Sequence, residues 1–195
     1  MSVDSHRRFR HGNFMLLKSQ DILVLLKLAV WRKGNWRQED LASELGLSQS
    51  QIHSSLRRAA TCGLYDYEAK RVLRSLLRNL LIHGIRYLAP ARLGARGRGM
   101  PTAWGHRDVF HELAVGSSYL PVWPRPRRSG AESDNESIEV EGVEIAPLHD
   151  RVPYAAAQDK DLYEVLAAVD ALRVGRPREI ELAIRVLDKR LAANA

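Results

Sequence analysis

Cysteine is almost missing from this chain: Cys62 is the only one in 195 residues. That excludes an intramolecular disulfide and a thiolate-rich metal cluster. Long apolar runs are missing too. The runs at 22–28 and 76–82 fall well short of the roughly 20 residues that cross a bilayer, so no membrane partner is expected. The opening MSVDSHRRFRHG is basic but has no apolar stretch with a cleavage site behind it, so it does not read as a secretory signal and a cytoplasmic location is expected. Catalytic signatures are also lacking. No Gly-x-Ser-x-Gly elbow occurs, and the GARGRG segment at 94–99 does not join a strand to a helix as a nucleotide-binding loop would. Histidines 6, 11, 53, 83, 106, 111 and 149 are scattered. The densest group, HRDVFHE, spaces His106 and His111 five apart, which does not share a helix face. No enzyme activity, catalytic residue, metal or cofactor is expected.

What is present is positive charge, unevenly placed. Residues 1–128 hold 22 Lys+Arg against 9 Asp+Glu, a net of +13, and residues 129–195 hold 8 against 14, a net of −6. No carboxylate lies between Glu68 and Asp108. A basic N-terminal part suits a polyanion, and an acidic remainder suits a separate partner or a merely uneven soluble surface.

Residues 1–18 form a basic arm with Arg7, Arg8 and Arg10. Ser19 is a candidate N-cap for an apolar helix, with Asp21 in its first turn and Gly34 as its stop. A second helix is expected over 38–45, ended by Gly46, and a third over 48–62, capped by Ser48 and ended by Gly63. A fourth spans about 71–83. Residues 85–88 and 102–104 suggest two short strands flanking the ARLGARGRGMP loop. The Pro-, Ser- and charge-rich stretch at 119–137 reads as a linker. Alternation suggests strands at 138–141 and 143–145. Two amphipathic helices follow at 159–173 and 177–191, turned by Gly175 and Pro177.

Residues 37–63 carry the most specific signal. Two short helices that cross steeply need a small residue at the crossing, which Ala42 supplies, and a left-handed turn residue, which Gly46 supplies. Leu41, Leu45, Leu47, Ile52 and Leu56 face inward at helical spacing. Gln49, Ser50, Gln51, His53, Ser54, Arg57 and Arg58 remain outside, with Ser48 at the start of the helix. These side-chain types bond to base edges and phosphates.

The segment DLASELGLSQSQIHSSLRRA resembles the helix-turn-helix of bacterial winged-helix transcriptional regulators through Leu41, Ala42, Leu45, Gly46, Leu47, Ser48, Ser50, Ile52 and Leu56. It departs at Ala59, where leucine is commoner. The resemblance implies a mainly α fold with a small β-hairpin wing. The 91–100 loop would be the wing, with Arg92, Arg96 and Arg98 on phosphates and glycines easing the approach. The expected division is an arm at 1–18, a winged helix-turn-helix domain at 19–107, a linker with short strands at 108–158, and a helical hairpin at 159–195 for dimerisation or partner binding. Double-stranded DNA is the expected partner, bound by a homodimeric regulator, a repressor in the first instance. The stretches LLIHGIRYLAPARLG, RGMPTAWG and LYEVLAAVDALRVGRPRE are also similar to bacterial regulators of antitoxin or phage-defence loci. That likeness implies a second possibility: an antitoxin-like or defence-system accessory protein that engages a protein partner through its C-terminal helices.

Overall fold

The computed structural model describes residues 16–114, 118–124 and 139–192. The basic arm up to residue 15, with Arg7, Arg8 and Arg10, lies outside them, as does 125–138 of the expected linker.

The chain opens with α1 (Ser19–Ala29), whose residues 21–29 are all buried, as a helix apolar on every side must be. Its N-cap is Lys18, not Ser19, and the Asp21 carboxylate in the first turn accepts the Lys18 N–H at 2.8 Å. The helix ends at Ala29, five residues before Gly34. The second helix, α2 (Gln38–Leu45), is closed by Gly46 at φ 62°. Tyr154 packs on that turn, since a Cβ at Gly46 would stand 3.2 Å from its ring. The third, α3 (Gln49–Thr61), begins with a reciprocal cap. Ser48 Oγ accepts the Gln51 N–H at 3.2 Å and Gln51 Oε1 accepts the Ser48 N–H at 2.8 Å.

A hairpin follows immediately, formed by β1 (Tyr65–Asp66) and β2 (Arg71–Val72), which pair antiparallel. Asp66 accepts the Ala69 N–H at 2.9 Å, and Lys70 turns the chain with φ 48°. Sequence periodicity assigned Arg71 and Val72 to the fourth helix. They are the returning strand, and α4 (Arg74–His83) starts after them. Residues Ile85–Leu88, expected to be extended, form a short helix, α5, nearly continuous with α4.

The segment expected to be the Arg/Gly wing loop forms the longest strand among the described residues, β3 (Leu93–Pro101). A 3-10 turn over Ala103–Gly105 replaces the expected strand at 102–104 and leads to α6 (Arg107–Ala114). The expected linker holds β4 (Pro121–Pro124), β5 (Val140–Ile145, unbroken at Gly142) and α7 (Val152–Gln158). The three strands close on one another: β3 runs antiparallel to β4 and β5, which pair parallel. Glycine makes this closure possible. A Cβ at Gly99 would overlap the Trp123 carbonyl, and one at Gly142 the Leu120 carbonyl.

The chain ends with α8 (Lys160–Val174) and α9 (Pro177–Leu191), within a residue of expectation. Helix α8 is the axis of the molecule. Residues 164–173 are all buried, and α1, α4, α5, α7, α9 and the 3-10 turn pack on it. The apolar stripe of the C-terminal pair is therefore spent on the chain's own core, and 159–195 is not a detached hairpin.

Buried charges pin the pieces together. The Asp170 carboxylate accepts hydrogen bonds from Arg173 (2.6 Å), Trp123 Nε1 (2.5 Å) and Thr102 (2.9 Å). Arg173 also donates to the carbonyls of Ala89 (2.7 Å) and Ala146 (3.1 Å), which joins α8 to α5 and the end of the sheet. Lys27, 2% exposed, pairs with Asp159 at 2.6 Å and with Glu44.

Candidate nucleic-acid interface

Helix α3 has two faces. Ile52, Ser55, Leu56 and Ala59 are buried against α1 and α2. Gln49, Ser50, His53 and Arg57 are exposed, and Ser54 is half-buried. Gln49, His53 and Arg57 repeat at i, i+4, i+8, one straight row along the helix. At about 1.5 Å per residue the row is roughly 12 Å long, close to the width of the B-DNA major groove. No acidic residue occurs in α3.

Three of the expected contact residues have structural duties instead. Ser48 and Gln51 hold the helix cap described above. The Gln51 amide also donates to Gln20 Oε1 at 3.4 Å, and Gln20 donates to Ser55 Oγ at 2.8 Å, tying α3 to α1. Arg58 turns inward. Its guanidinium grips Asp21, which is fully buried, through bonds of 2.8 and 2.6 Å. The hydrogen bond to Asp21 raises the Arg58 pKa above its ordinary value, against the opposing pull of burial. The arginine is thus committed to a buried carboxylate and is withdrawn from the reading face.

The β1–β2 hairpin stands beside the row. Tyr67 lies edge-on to Tyr65, with centroids 6.0 Å apart, and its hydroxyl is 3.5 Å from His53 Nδ1. Lys70 and Arg71 are exposed at its tip. Sequence reasoning missed this hairpin because its strands are two residues long and the apolar spacing of 64–81 continues a helical pattern. The turn signal was local: Asp66 with the lysine four residues on.

Arg92, Arg96 and Arg98, expected on the wing, lie at β3. Arg92 precedes β3, and Arg96 and Arg98 project from it, all three exposed. The sheet packs on the 3-10 turn and so toward α8, whereas α3 packs on α1, α2 and β1. The glycines between those arginines, Gly94 and Gly97, lie against Glu144 of β5. Among the described residues, no group of three or more His, Cys, Asp or Glu is placed to hold a metal ion. His106 is buried with its ring 4.0 Å from that of Tyr163, and His111 is exposed. No helix of the described residues is long and apolar enough to cross a membrane.

Compared with known protein families, with curated proteins and with solved structures, the chain finds no match in any of the three.

Proposed function

We propose that the protein is a sequence-reading, double-stranded DNA-binding regulator, with α3 in the major groove and the β1–β2 hairpin as the wing. One observation carries the reading: the acid-free row of Gln49, His53 and Arg57, with Ser50 beside it, on a helix locked by its cap and by the Arg58–Asp21 pair. Gln and Arg can each make paired bonds to a base edge. A rigid support suits base reading, because a mobile helix would lose the gain in ordering itself. The hairpin tip supplies Lys70 and Arg71 for the flanking phosphates. A regulator of this kind would bind as a homodimer over two half-sites about one helical turn apart, with repression as the simplest outcome.

The test is selection of bound duplexes from a random pool, followed by titration of the selected site. Arg57→Ala should weaken that site by about 1–3 kcal/mol and leave scrambled duplex nearly unchanged. Duplex RNA should compete poorly, because the A-form major groove is too deep and narrow for α3. Failure to enrich any sequence would end this reading.

A further inference from the structure

A second basic site lies on the sheet, and the helix-turn-helix does not use it. Arg96 and Arg98 are two apart in β3, so they share one face of the strand, and they are exposed while Gly97 is half-buried and Gly99 buried. Arg107, the first residue of α6, joins them around a cleft of about 570 Å³. Ser118, Tyr119 and Leu120 form another wall, and Glu141, Gly142 and Val143 of β5 complete it. That volume is in the range of small-ligand sites.

The charges in this cleft are uncommitted. Several arginines elsewhere are paired with carboxylates: Arg58 with Asp21, Arg78 with Asp188, Arg173 with Asp170, Arg190 with Asp161 and Glu164. Arg96, Arg98 and Arg107 have no carboxylate within 4.0 Å among the described residues, although Arg98 stands opposite Glu141 in the strand register. Three arginines lining one cleft can serve as a receptor for phosphate oxygens, which a guanidinium can grip two at a time. Two neighbours narrow the choice of ligand. Tyr119 is half-buried, its ring held edge-on at 5.9 Å from Trp104, and it offers a flat surface for an aromatic base. Glu141 is a carboxylate among cations. It penalises a bare polyanion and accepts hydrogen bonds from a sugar hydroxyl or an exocyclic amine.

We infer that this cleft binds a nucleoside phosphate, with Arg96, Arg98 and Arg107 on the phosphates, Tyr119 against the base and Glu141 on a sugar or base donor. This is not the glycine-rich phosphate loop excluded from the sequence, because side chains and not backbone N–H groups hold the anion. The nucleoside phosphate can be a free nucleotide or one unit of a single strand, and the two sources are separable.

The experiment uses the full chain and four probes: a fluorescent ATP analogue, a fluorescent GTP analogue, inorganic pyrophosphate and a labelled single-stranded 12-mer of mixed sequence. For the 12-mer, the cleft's share is the part of the binding lost in Arg96→Ala and Arg98→Ala, since α3 is the same in parent and variants. Saturable binding of a mononucleotide is expected, weakened roughly tenfold by loss of each arginine, with the thermal midpoint unchanged. Glu141→Gln should raise the affinity for pyrophosphate relative to the nucleotide. Mononucleotide binding assigns the source to free nucleotide, and 12-mer binding without it, lost in Arg96→Ala and Arg98→Ala, assigns it to a strand. The inference is overturned if neither probe saturates, if the arginine variants bind as the parent does, or if pyrophosphate competes as well as the nucleotide. None of these outcomes bears on duplex recognition by α3.

Discussion

Arg57 and Arg58 are neighbours in sequence with opposite fates. Arg57 is exposed on the outer row of α3, and Arg58 closes over a fully buried Asp21. Removing Arg58 strands a buried carboxylate, a defect that costs about 3 kcal/mol when a buried pair is broken. Arg58→Ala should therefore lower the urea midpoint strongly, whereas Arg57→Ala should leave it unchanged and affect only DNA affinity. The same logic applies to Asp170. It takes hydrogen bonds from three side chains on different parts of the chain, so Asp170→Ala should cost at least as much as Arg58→Ala in the same urea titration.

His106 adds a pH dependence at this scale. Its burial against Tyr163 lowers its pKa below the ordinary 6.5, with Asp108 and Glu164 pulling the other way and Lys160 adding to the lowering. The folded protein thus binds this proton less readily than the unfolded chain. Its contribution to stability is present in full above pH 6.5 and is lost as pH falls from there through the folded value. His149 is shifted in the same direction by burial. Thermal midpoints should fall between pH 7 and pH 5. His106→Phe, which keeps a ring against Tyr163, should make that fall shallower, and an unchanged slope would count against the account.

Among the elements, α2 and α3 were the most legible from sequence, and the reason is local. Ser48, Gly46 and the inward leucines act within one or two turns of chain, so spacing alone places them. The C-terminal helices were legible for the same reason. Strand β3 was not. Its sequence, LGARGRGMP, lacks apolar alternation, because its glycines are required where β4 and β5 press against its backbone. That requirement exists only once three distant segments are assembled. Residues Ile85–Leu88 show the converse: strand-type residues carried into a helical turn by continuity with α4. The inward turn of Arg58 was invisible for a related reason. A helical wheel gives its angle but not the Asp21 that waits on α1. Gly99→Ala tests the sheet directly. The added Cβ meets the Trp123 carbonyl, so the β3–β4 register must break, and amides of 93–100 should lose hydrogen-exchange protection while α3 keeps its own.

Over the whole molecule, the contrast between a basic N-terminal part and an acidic C-terminal part reads differently once the chain is folded. Among the described residues, three of the fourteen acidic residues of the C-terminal part pair with the basic part. Asp159 pairs with Lys27, Asp161 with Arg32 and Asp188 with Arg78. Burial pushes the Asp159 carboxyl up, but the Lys27 ammonium and the Leu162 N–H overcome it and hold the carboxyl below its usual range. These pairs and the buried α8 pack the helix-turn-helix and the C-terminal helices together, so they should unfold as one unit. A chain ending at residue 158 would leave Lys27 short of Asp159 and α1 without α8, so it should fail to fold, and circular dichroism with a thermal scan would reveal this. A cooperative transition in that truncation would mean that the chain up to residue 158 folds without α8 and α9.

The central claim is that the exposed row of α3 reads duplex DNA from this rigid body. The most direct measurement is fluorescence anisotropy of the selected duplex against a scrambled one, at fixed salt, for the parent and Arg57→Ala. The account predicts a parent preference of at least about 10³-fold for the selected site. It also predicts that the variant loses much of that preference while keeping its affinity for the scrambled duplex. Equal binding of both duplexes by the parent, or an undiminished preference in Arg57→Ala, would contradict it.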